Sequence, residues 1–473
     1  MKEFLIEDLA KIISARLEQD ASPWAQGHEP RVTSHAPCFT GVSTDSRTTQ
    51  PGDCFFAIDG EIFDGHNYIA DAFTKGAVCA VVSKDTQFTG GALLKVPDTI
   101  RALGDLAREY RRQANFKVVA ITGSVGKTTT RQIVYHVLSQ HFRVVQAPKN
   151  FNNNIGLPLT LLGADPEHEI VIAELGSNYP GEIAYLTRIA EPNIAVVTNV
   201  YSAHLAGLRD LETIIQEKLS ISEGLRSGGI LIINGCLDRL VGACRTRNTA
   251  FITFGDSDRC DIKAQNITYE RFGSRLTIYR AEVSLPLPGR GNVENALAAW
   301  AVCSCFRINI EDFAHALKTM PAIPMRTELL HIGKLTLLND SYNANPASMK
   351  NALDILANIG SFENRRLVFI CGDMAELGPQ SQDFHAELGA SVAQAKVQLL
   401  IAAGEFAQVT AEAAKRTARH DLQAECFKDT ASVCNNLQKF IKEDDIILVK
   451  GSRVARLEMA VEKLRQLFSS DVN

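Results

Sequence analysis

The residue types that could do chemistry concentrate first in Thr122-Gly123-Ser124-Val125-Gly126-Lys127-Thr128-Thr129-Thr130. An apolar run, Val118-Val119-Ala120-Ile121, precedes this stretch and reads as a buried strand. Arg131-Gln132-Ile133-Val134-Tyr135-His136-Val137-Leu138 follows it and reads as a helix. Strand, glycine loop, Lys-Thr and helix together make a site for a nucleotide's phosphates. Glycine lets the backbone turn successive N–H groups onto an anion, and the helix N-terminus adds partial positive charge. Gly123, Ser124, Gly126 and Thr129 would line the phosphates. Lys127 would reach the β- and γ-phosphates, and Thr128 would offer its hydroxyl to Mg²⁺. The common form of this loop has a glycine five residues before Gly126. Here that residue is Ile121, inside the strand, so the loop is shortened.

Glu174 ends the run Ile170-Val171-Ile172-Ala173, at the carboxyl edge one strand from the loop, a good place for a Mg²⁺ ligand. His204, in Tyr201-Ser202-Ala203-His204-Leu205, is a lone histidine for which a structural place and metal ligation both stay open. Lys218, in Gln216-Glu217-Lys218-Leu219-Ser220, reads from its spacing as a solvated helix lysine. Asp340-Ser341-Tyr342-Asn343-Ala344-Asn345-Pro346 packs acid, amides and proline into one turn after a strand, which favours ligand contact. Gly372-Asp373-Met374-Ala375-Glu376-Leu377-Gly378 and Lys450-Gly451-Ser452-Arg453 also sit at strand ends. Three such edges could form a second binding face, where an arginine or lysine would suit anionic groups.

The elements that must position these groups fall into three regions. The first opens with an amphipathic helix and carries short strands such as Asp53-Cys54-Phe55-Phe56-Ala57-Ile58 and Ala77-Val78-Cys79-Ala80-Val81-Val82, then a charged helix from Thr99 to Gln113. The second alternates helices with apolar strands at 117–121, 170–174, 194–199, 229–233 and 250–254, the pattern of a parallel sheet covered on both faces. After Asp261 the alternation of Ser274-Arg275-Leu276-Thr277-Ile278-Tyr279 suggests an antiparallel appendage, and a helix begins near Asn292. Met320-Pro321-Ala322-Ile323-Pro324 reads as a linker. Beyond it, strands at 335–338, 367–371, 399–402 and 446–449 give a second α/β pattern.

A chain of 473 residues exceeds one core and implies two or three domains. The net charge of −5 is mild and no basic block points to nucleic acid. The acids in Met1-Lys2-Glu3-Phe4-Leu5-Ile6-Glu7-Asp8-Leu9 exclude a signal-peptide core, and no segment reads as a membrane span. The 11 cysteines are scattered without a CxxC pair, which fits reduced thiols in a cytoplasm.

In this order, these segments resemble the Mur ligase family of bacterial cell-wall synthesis. The resemblance rests on the shortened Thr122–Thr129 loop, Thr44-Asp45-Ser46-Arg47 with Pro51-Gly52-Asp53, Phe63-Asp64-Gly65-His66, and Asn152-Asn153-x-Ile155-Gly156-x-Pro158-Leu159-Thr160-Leu161. The turn at 340–349 and the passages at 372–378 and 450–453 complete it. It implies an α/β fold of three domains: a small UDP-sugar-binding domain (1–98), a central P-loop parallel-sheet ATPase domain (99–320), and a Rossmann-like C-terminal domain (321–473) that receives a dipeptide. The implied reaction is ATP-dependent addition of D-alanyl-D-alanine to UDP-N-acetylmuramoyl-tripeptide by a cytoplasmic monomer, through an acyl phosphate and a tetrahedral intermediate. By the family pattern Thr128 and Glu174 hold one Mg²⁺, and His204 with a carbamoylated Lys218 a second. Asn295 matches an adenine contact, and Arg326 and Asp340 match positions near the phosphates and ribose. Asn152, Asn153, Asn343 and Asn345 would face substrate, and Ser46 and Arg47 the uridine. The chain departs from the family at Gly291, where histidine is usual, at Asn154, where an acid is frequent, and around Lys218, where Ala-Lys-x-Glu-Ile is commoner. The alternatives are a sibling that adds another amino acid and, from a different class, a P-loop switch protein.

Overall fold

Near-continuous Val, Ile and Leu runs form strands buried on both faces, and these set the layout of the molecule. The computed structural model describes residues 1, 3–17, 37–148, 150–203, 205–247 and 249–469. In the first region, β1 (Arg16–Leu17), β2 (Gly41–Ser43), β3 (Asp53–Phe56), β4 (Cys79–Val82) and β5 (Ala92–Lys95) make a sheet of order β1-β5-β4-β3-β2. All its pairings are parallel except β1 with β5. Helix α1 (Thr99–Gln113) follows, started by Asp98, whose carboxylate accepts from the Ile100 and Arg101 N–H groups.

The central sheet orders its strands β14-β13-β12-β11-β10-β9-β6-β8-β7. Its members are β6 (Lys117–Thr122), β7 (Val144–Gln146), β8 (Ile170–Glu174), β9 (Ile194–Val197), β10 (Ile230–Asn234), β11 (Phe251–Gly255), β12 (Ile262–Tyr269), β13 (Ser274–Ile278) and β14 (Ala281–Leu285). β6 to β12 run parallel, and β12, β13 and β14 are antiparallel, which is the expected appendage grown onto the same sheet. The chain leaves β6 for β7 on one side and returns to β9 on the other, so β6 sits where the strand order reverses. Ligands bind outside the carboxyl ends at such a point. Helices α2 (Lys127–Leu138), α3 (Glu182–Ala190), α4 (Leu205–Leu208), α5 (Leu211–Leu219) and α6 (Arg290–Cys305) cover the faces.

The third sheet has the order β15-β16-β20-β17-β18-β19, from β15 (Glu328–Ile332), β16 (Leu335–Asn339), β17 (Leu367–Gly372), β18 (Leu399–Ala403), β19 (Gln423–Phe427) and β20 (Ile446–Lys450). β15 is antiparallel and the rest are parallel. Helix α7 (Pro346–Phe362) starts at Asn345 with a full capping box to Ser348 and proline in its first turn. The three motif-bearing strand ends, of β16, β20 and β17, are therefore adjacent.

Two differences from the sequence reading have local causes. The strand expected over 194–199 stops at Val197 because Thr198 and Asn199 leave the ladder to bond the glycine loop: Thr198 Oγ1 donates to the Val125 carbonyl at 2.7 Å, and Asn199 Oδ1 accepts from Val125 N at 2.9 Å. Strands β7, β15 and β19 lack an apolar run because each is an edge strand with half-exposed side chains.

Helix α1 packs into a core that holds Phe4, Leu9 and Phe39 together with Leu103, Leu157 and Val171. Arg111, fully buried, fastens it there. Its guanidinium donates to the carbonyls of Ala190 (3.0 Å), Phe116 (3.0 Å) and Glu191 (3.1 Å) and to Asn193 Oδ1 (2.9 Å). Burial lowers its pKa to about 10, with Arg226 adding to the effect and Glu191 opposing it. Arg111→Met leaves the carbonyls of Ala190, Phe116 and Glu191 without this donor, while Asn193 Oδ1 keeps the Val118 N–H at 2.9 Å. We expect a loss of about 3 kcal/mol or more, read as a lowered apparent Tm in a thermal melt against the wild type.

Candidate functional site

Between β6 and α2 the chain has only four residues in which to turn, and two glycines make the turn possible. Gly123 (φ +148°) and Gly126 (φ +86°) take conformations closed to most side chains. There is also no room: a Cβ on Gly123 would lie 2.0 Å from Thr198 Oγ1, and one on Gly126 2.1 Å from Asn295 Oδ1. Ser124 Oγ donates to the Tyr201 carbonyl (2.9 Å) and accepts from Tyr201 N (3.0 Å), and Thr130 Oγ1 donates to Asn295 Oδ1 (3.3 Å). The loop is thus clamped from the strand side and from α6, and Asn295 stands behind Gly126, outside the cleft lining.

Opposite the loop mouth, Glu174 pairs in register with Ile121, one strand away as its sequence position implied. Its Oε2 lies 3.3 Å from Thr128 Oγ1, so two hard oxygen donors of the kind Mg²⁺ takes converge beside the phosphate position. Its Oε1 lies 2.7 Å from Arg131 Nε, both side chains being buried. Arg131 stands one helical turn beyond Thr128, a spacing that sequence reasoning did not use. Lys127 Nζ donates to the Gly123 carbonyl at 2.7 Å. Burial lowers its pKa to about 8; Arg326 lowers it further and Glu174 opposes the fall.

Lys218 overturns the reading from its spacing: it is 2% exposed, not solvated. Helix α5 lies against the strand-end loop through Glu217, whose two carboxylate oxygens accept from Gly181 N (2.7 Å) and Ile183 N (2.8 Å) at the start of α3. That docking points Lys218 inward, where Nζ donates to Ser177 Oγ at 2.8 Å. Burial, then Lys127, lowers its pKa to about 7, with Glu217 and Glu182 acting the other way. A neutral amine is therefore accessible near neutral pH. Spacing within one helix could not reveal the Glu217 clamp. His204 lies outside the described residues.

The far wall comes from the third sheet. Lys450, fully buried, bonds Asp340 Oδ2 (2.6 Å) and the Asn343 carbonyl (2.9 Å), tying the end of β20 to the turn after β16. Asp340 Oδ1 also accepts from Thr327 N at 3.1 Å. The Arg326 guanidinium lies 4.1 Å from the Tyr342 ring centre. Asn345 Nδ2 reaches the Ser124 carbonyl at 3.4 Å, and Ala206 N donates to the Glu376 carbonyl at 3.0 Å, so the edges of the central and third sheets meet across the cleft.

The enclosed space is about 750 Å³. It brings together Ser124, Gly126, Lys127, Thr128, Thr129, Asn152, Asn153, Glu174, Arg326, Asn343 and Asn345 of the expected residues, with Ser177, Tyr342, Ser452 and Arg453 beside them. Asn153 also fixes the turn that leads into the helix Gly156–Leu162, its Oδ1 accepting from Ile155 N and Gly156 N. Gly123, Lys218, Asn295 and Asp340 support this cleft from behind and do not line it. Ser46 and Arg47 stand apart in the first region, Ser46 buried and Arg47 exposed and ion-paired with Asp45 at 2.7 Å.

A phosphate loop facing a wall from a second α/β sheet defines a nucleotide-dependent enzyme with room for further substrates. Three family models match: the Mur ligase family catalytic domain over residues 39–111, the Mur ligase middle domain over 121–303, and the Mur ligase glutamate ligase domain over 325–453. The chain is 34% identical to the UDP-N-acetylmuramoyl-tripeptide–D-alanyl-D-alanine ligase of Bacillus subtilis, over 90% of this chain and 93% of that one. It is 33% identical to the ligase of the same name from Escherichia coli, with the same coverage. Among solved structures it resembles MurF of Acinetobacter baumannii (TM-score 0.87, 28% identity, 98% of this chain and 99% of that one). It also resembles MurF of Thermotoga maritima in complex with ADP (TM-score 0.78, 26% identity, 90% and 97%). The chain belongs to the Mur ligase family. It is an ATP-dependent ligase that forms amide bonds.

Lys127→Ala removes the one ammonium seated in the loop. We expect kcat/KM for ligation to fall by about 10³-fold or more with an unchanged melting curve, since the side chain bonds only a loop carbonyl.

Proposed function

We propose that this enzyme joins D-alanyl-D-alanine to UDP-N-acetylmuramoyl-tripeptide, the step that completes the pentapeptide precursor of the cell wall. The observation that carries the reading is the meeting of two strand-end edges over one cleft: phosphate loop, Thr128 and Glu174 on one side, Arg326 and the 340–349 turn on the other. The names of the relatives supply the substrates. A tripeptide carboxylate attacks the γ-phosphorus of ATP, ADP leaves, and the acyl phosphate remains. The dipeptide amine then attacks its carbonyl carbon, and the tetrahedral intermediate expels phosphate.

In the first step two anions approach, so the site must supply positive charge. Lys127 and the loop N–H groups do so at the phosphates, with Arg326 across from them. Thr128 with Glu174 would hold one Mg²⁺, and by the family pattern His204 with Lys218 a second; the ions would offset phosphate charge when bound. The neutral Lys218 amine can add to the carbon of CO₂ and release a proton, giving a carbamate whose oxygen suits a hard cation. Ser46 and Arg47 serve the uridine end, and Asn152, Asn153, Asn343 and Asn345 the sugar-peptide and dipeptide, with Asn295 on the adenine side and Asp340 near the phosphates and ribose, both behind the cleft wall. The three working units are residues 1–98, 99–320 and 321–473. No helix among the described residues is long and apolar enough to cross a membrane. On this reading the enzyme works in the cytoplasm, where ATP and nucleotide-linked precursors are kept, and as a monomer; one chain supplies both walls of the cleft, so this reading calls for no second subunit.

Phosphate release from ATP tests the function: it should require both UDP-N-acetylmuramoyl-tripeptide and D-alanyl-D-alanine and yield a UDP-linked pentapeptide. Release that needs neither would return the chain to a switch protein. Lys218→Ala should lose activity and regain part of it with added short-chain carboxylic acids, while the wild type should incorporate ¹³C from labelled bicarbonate in a carbamate resonance. A fully active, unsupplemented variant would remove Lys218 from the metal site.

A further inference from the structure

The incoming dipeptide attacks through its amine, so its own carboxylate stays ionised throughout the reaction and must be accommodated in the cleft. Burying a carboxylate without a partner is costly, and a guanidinium is the side chain best shaped to meet one. Among the described residues that line the cleft, three are cationic: Lys127, Arg326 and Arg453. Lys127 is engaged inside the phosphate loop. Arg326 stacks on the Tyr342 ring at 4.1 Å and, on the reading above, is set against the nucleotide's phosphates. Arg453 remains.

A second observation falls on the residue next to it. Ser452 is 1% exposed and lines the cleft, yet its Oγ has no hydrogen-bond partner. Its backbone N–H donates to the Asp373 carbonyl at 3.0 Å, which fixes the main chain from which the hydroxyl projects. Buried hydroxyls rarely go unpaired, and such an atom beside a guanidinium asks for an acceptor. Arg453 is itself oriented. Its guanidinium carbon lies 5.9 Å from the Tyr342 ring centre, and Nη1 meets Glu458 Oε1 at 3.1 Å, which leaves further donors of the fork available.

The geometry points to Ser452 and Arg453 as the subsite for the carboxylate of the acceptor dipeptide, with the Tyr342 ring beside the guanidinium and Glu458 outside the subsite, on the helix that follows. This assignment rests on the dipeptide acceptor argued above. It gives the enzyme a way to demand a free C-terminal acid: an acceptor without one leaves the buried Ser452 hydroxyl unpaired and the remaining donors of Arg453 facing water.

The test compares D-alanyl-D-alanine with its C-terminal carboxamide as acceptor in the wild type, Arg453→Gln, Ser452→Ala and Glu458→Gln. The wild type should prefer the acid. Arg453→Gln should raise KM for the acid about 10- to 100-fold, the worth of a charge-assisted bond, leave KM for ATP and the sugar-tripeptide unchanged, and lose the preference for acid over amide. Ser452→Ala should show a smaller shift in the same direction, and Glu458→Gln should keep the preference. An Arg453→Gln enzyme that still prefers the acid by the wild-type factor would overturn the assignment, as would the same loss in Glu458→Gln, which would locate the effect in the helix end. A wild type that releases phosphate but transfers to neither acceptor would instead sink the proposed function, and the subsite with it.

Discussion

Positive charge held out of water is the constraint around which this molecule is arranged. Lys127, Arg131, Lys218 and Lys450 all lie behind or within one cleft, and burial lowers the pKa of each. Water does not stabilise these groups, so the fold must. Glu174 answers Arg131, Asp340 answers Lys450, the Gly123 carbonyl takes the Lys127 ammonium, and the Ser177 hydroxyl takes the Lys218 amine, which burial brings close to neutrality. Each compensating group stands at the carboxyl end of a parallel strand or just beyond it. The sheets therefore fix where the charges sit, and the polyanionic nucleotide meets a site whose dipoles and cations are already in place.

The same arrangement explains which parts could be read from residues alone. The phosphate loop was legible because a tight turn before a helix demands glycine at particular positions, and Gly123 and Gly126 take the positive φ that the turn requires. Glu174 was legible because it ends an apolar run, and strand register carries such a residue to the edge. Parallel strands covered on both faces announce themselves as unbroken Val, Ile and Leu, whereas β7, β15 and β19, half exposed at sheet edges, do not.

Lys218 shows where that reading stops. Its neighbours along the chain are those of a solvated helix. What buries it is Glu217 reaching across to two N–H groups of another helix, an interaction between segments 34 and 36 residues apart. The unpaired Ser452 hydroxyl is of the same kind, since only a folded cleft distinguishes it from any loop serine. Periodicity reports which face of an element is apolar, and charge partners brought together by tertiary packing leave no periodic trace.

Helix α1 has a consequence for how such a protein can be taken apart. It shares one core with Phe4, Leu9 and Phe39 before it and with Leu157 and Val171 after it, and Arg111 pins it to the end of α3. The segment before Thr99 is thus not a detachable module. Swapping the stretch before Thr99 for that of a distant relative would bring foreign side chains into half of a shared interior. Inheritance of this segment and of the central sheet is coupled by packing, and substitutions on one side of α1 constrain which substitutions the other side can accept.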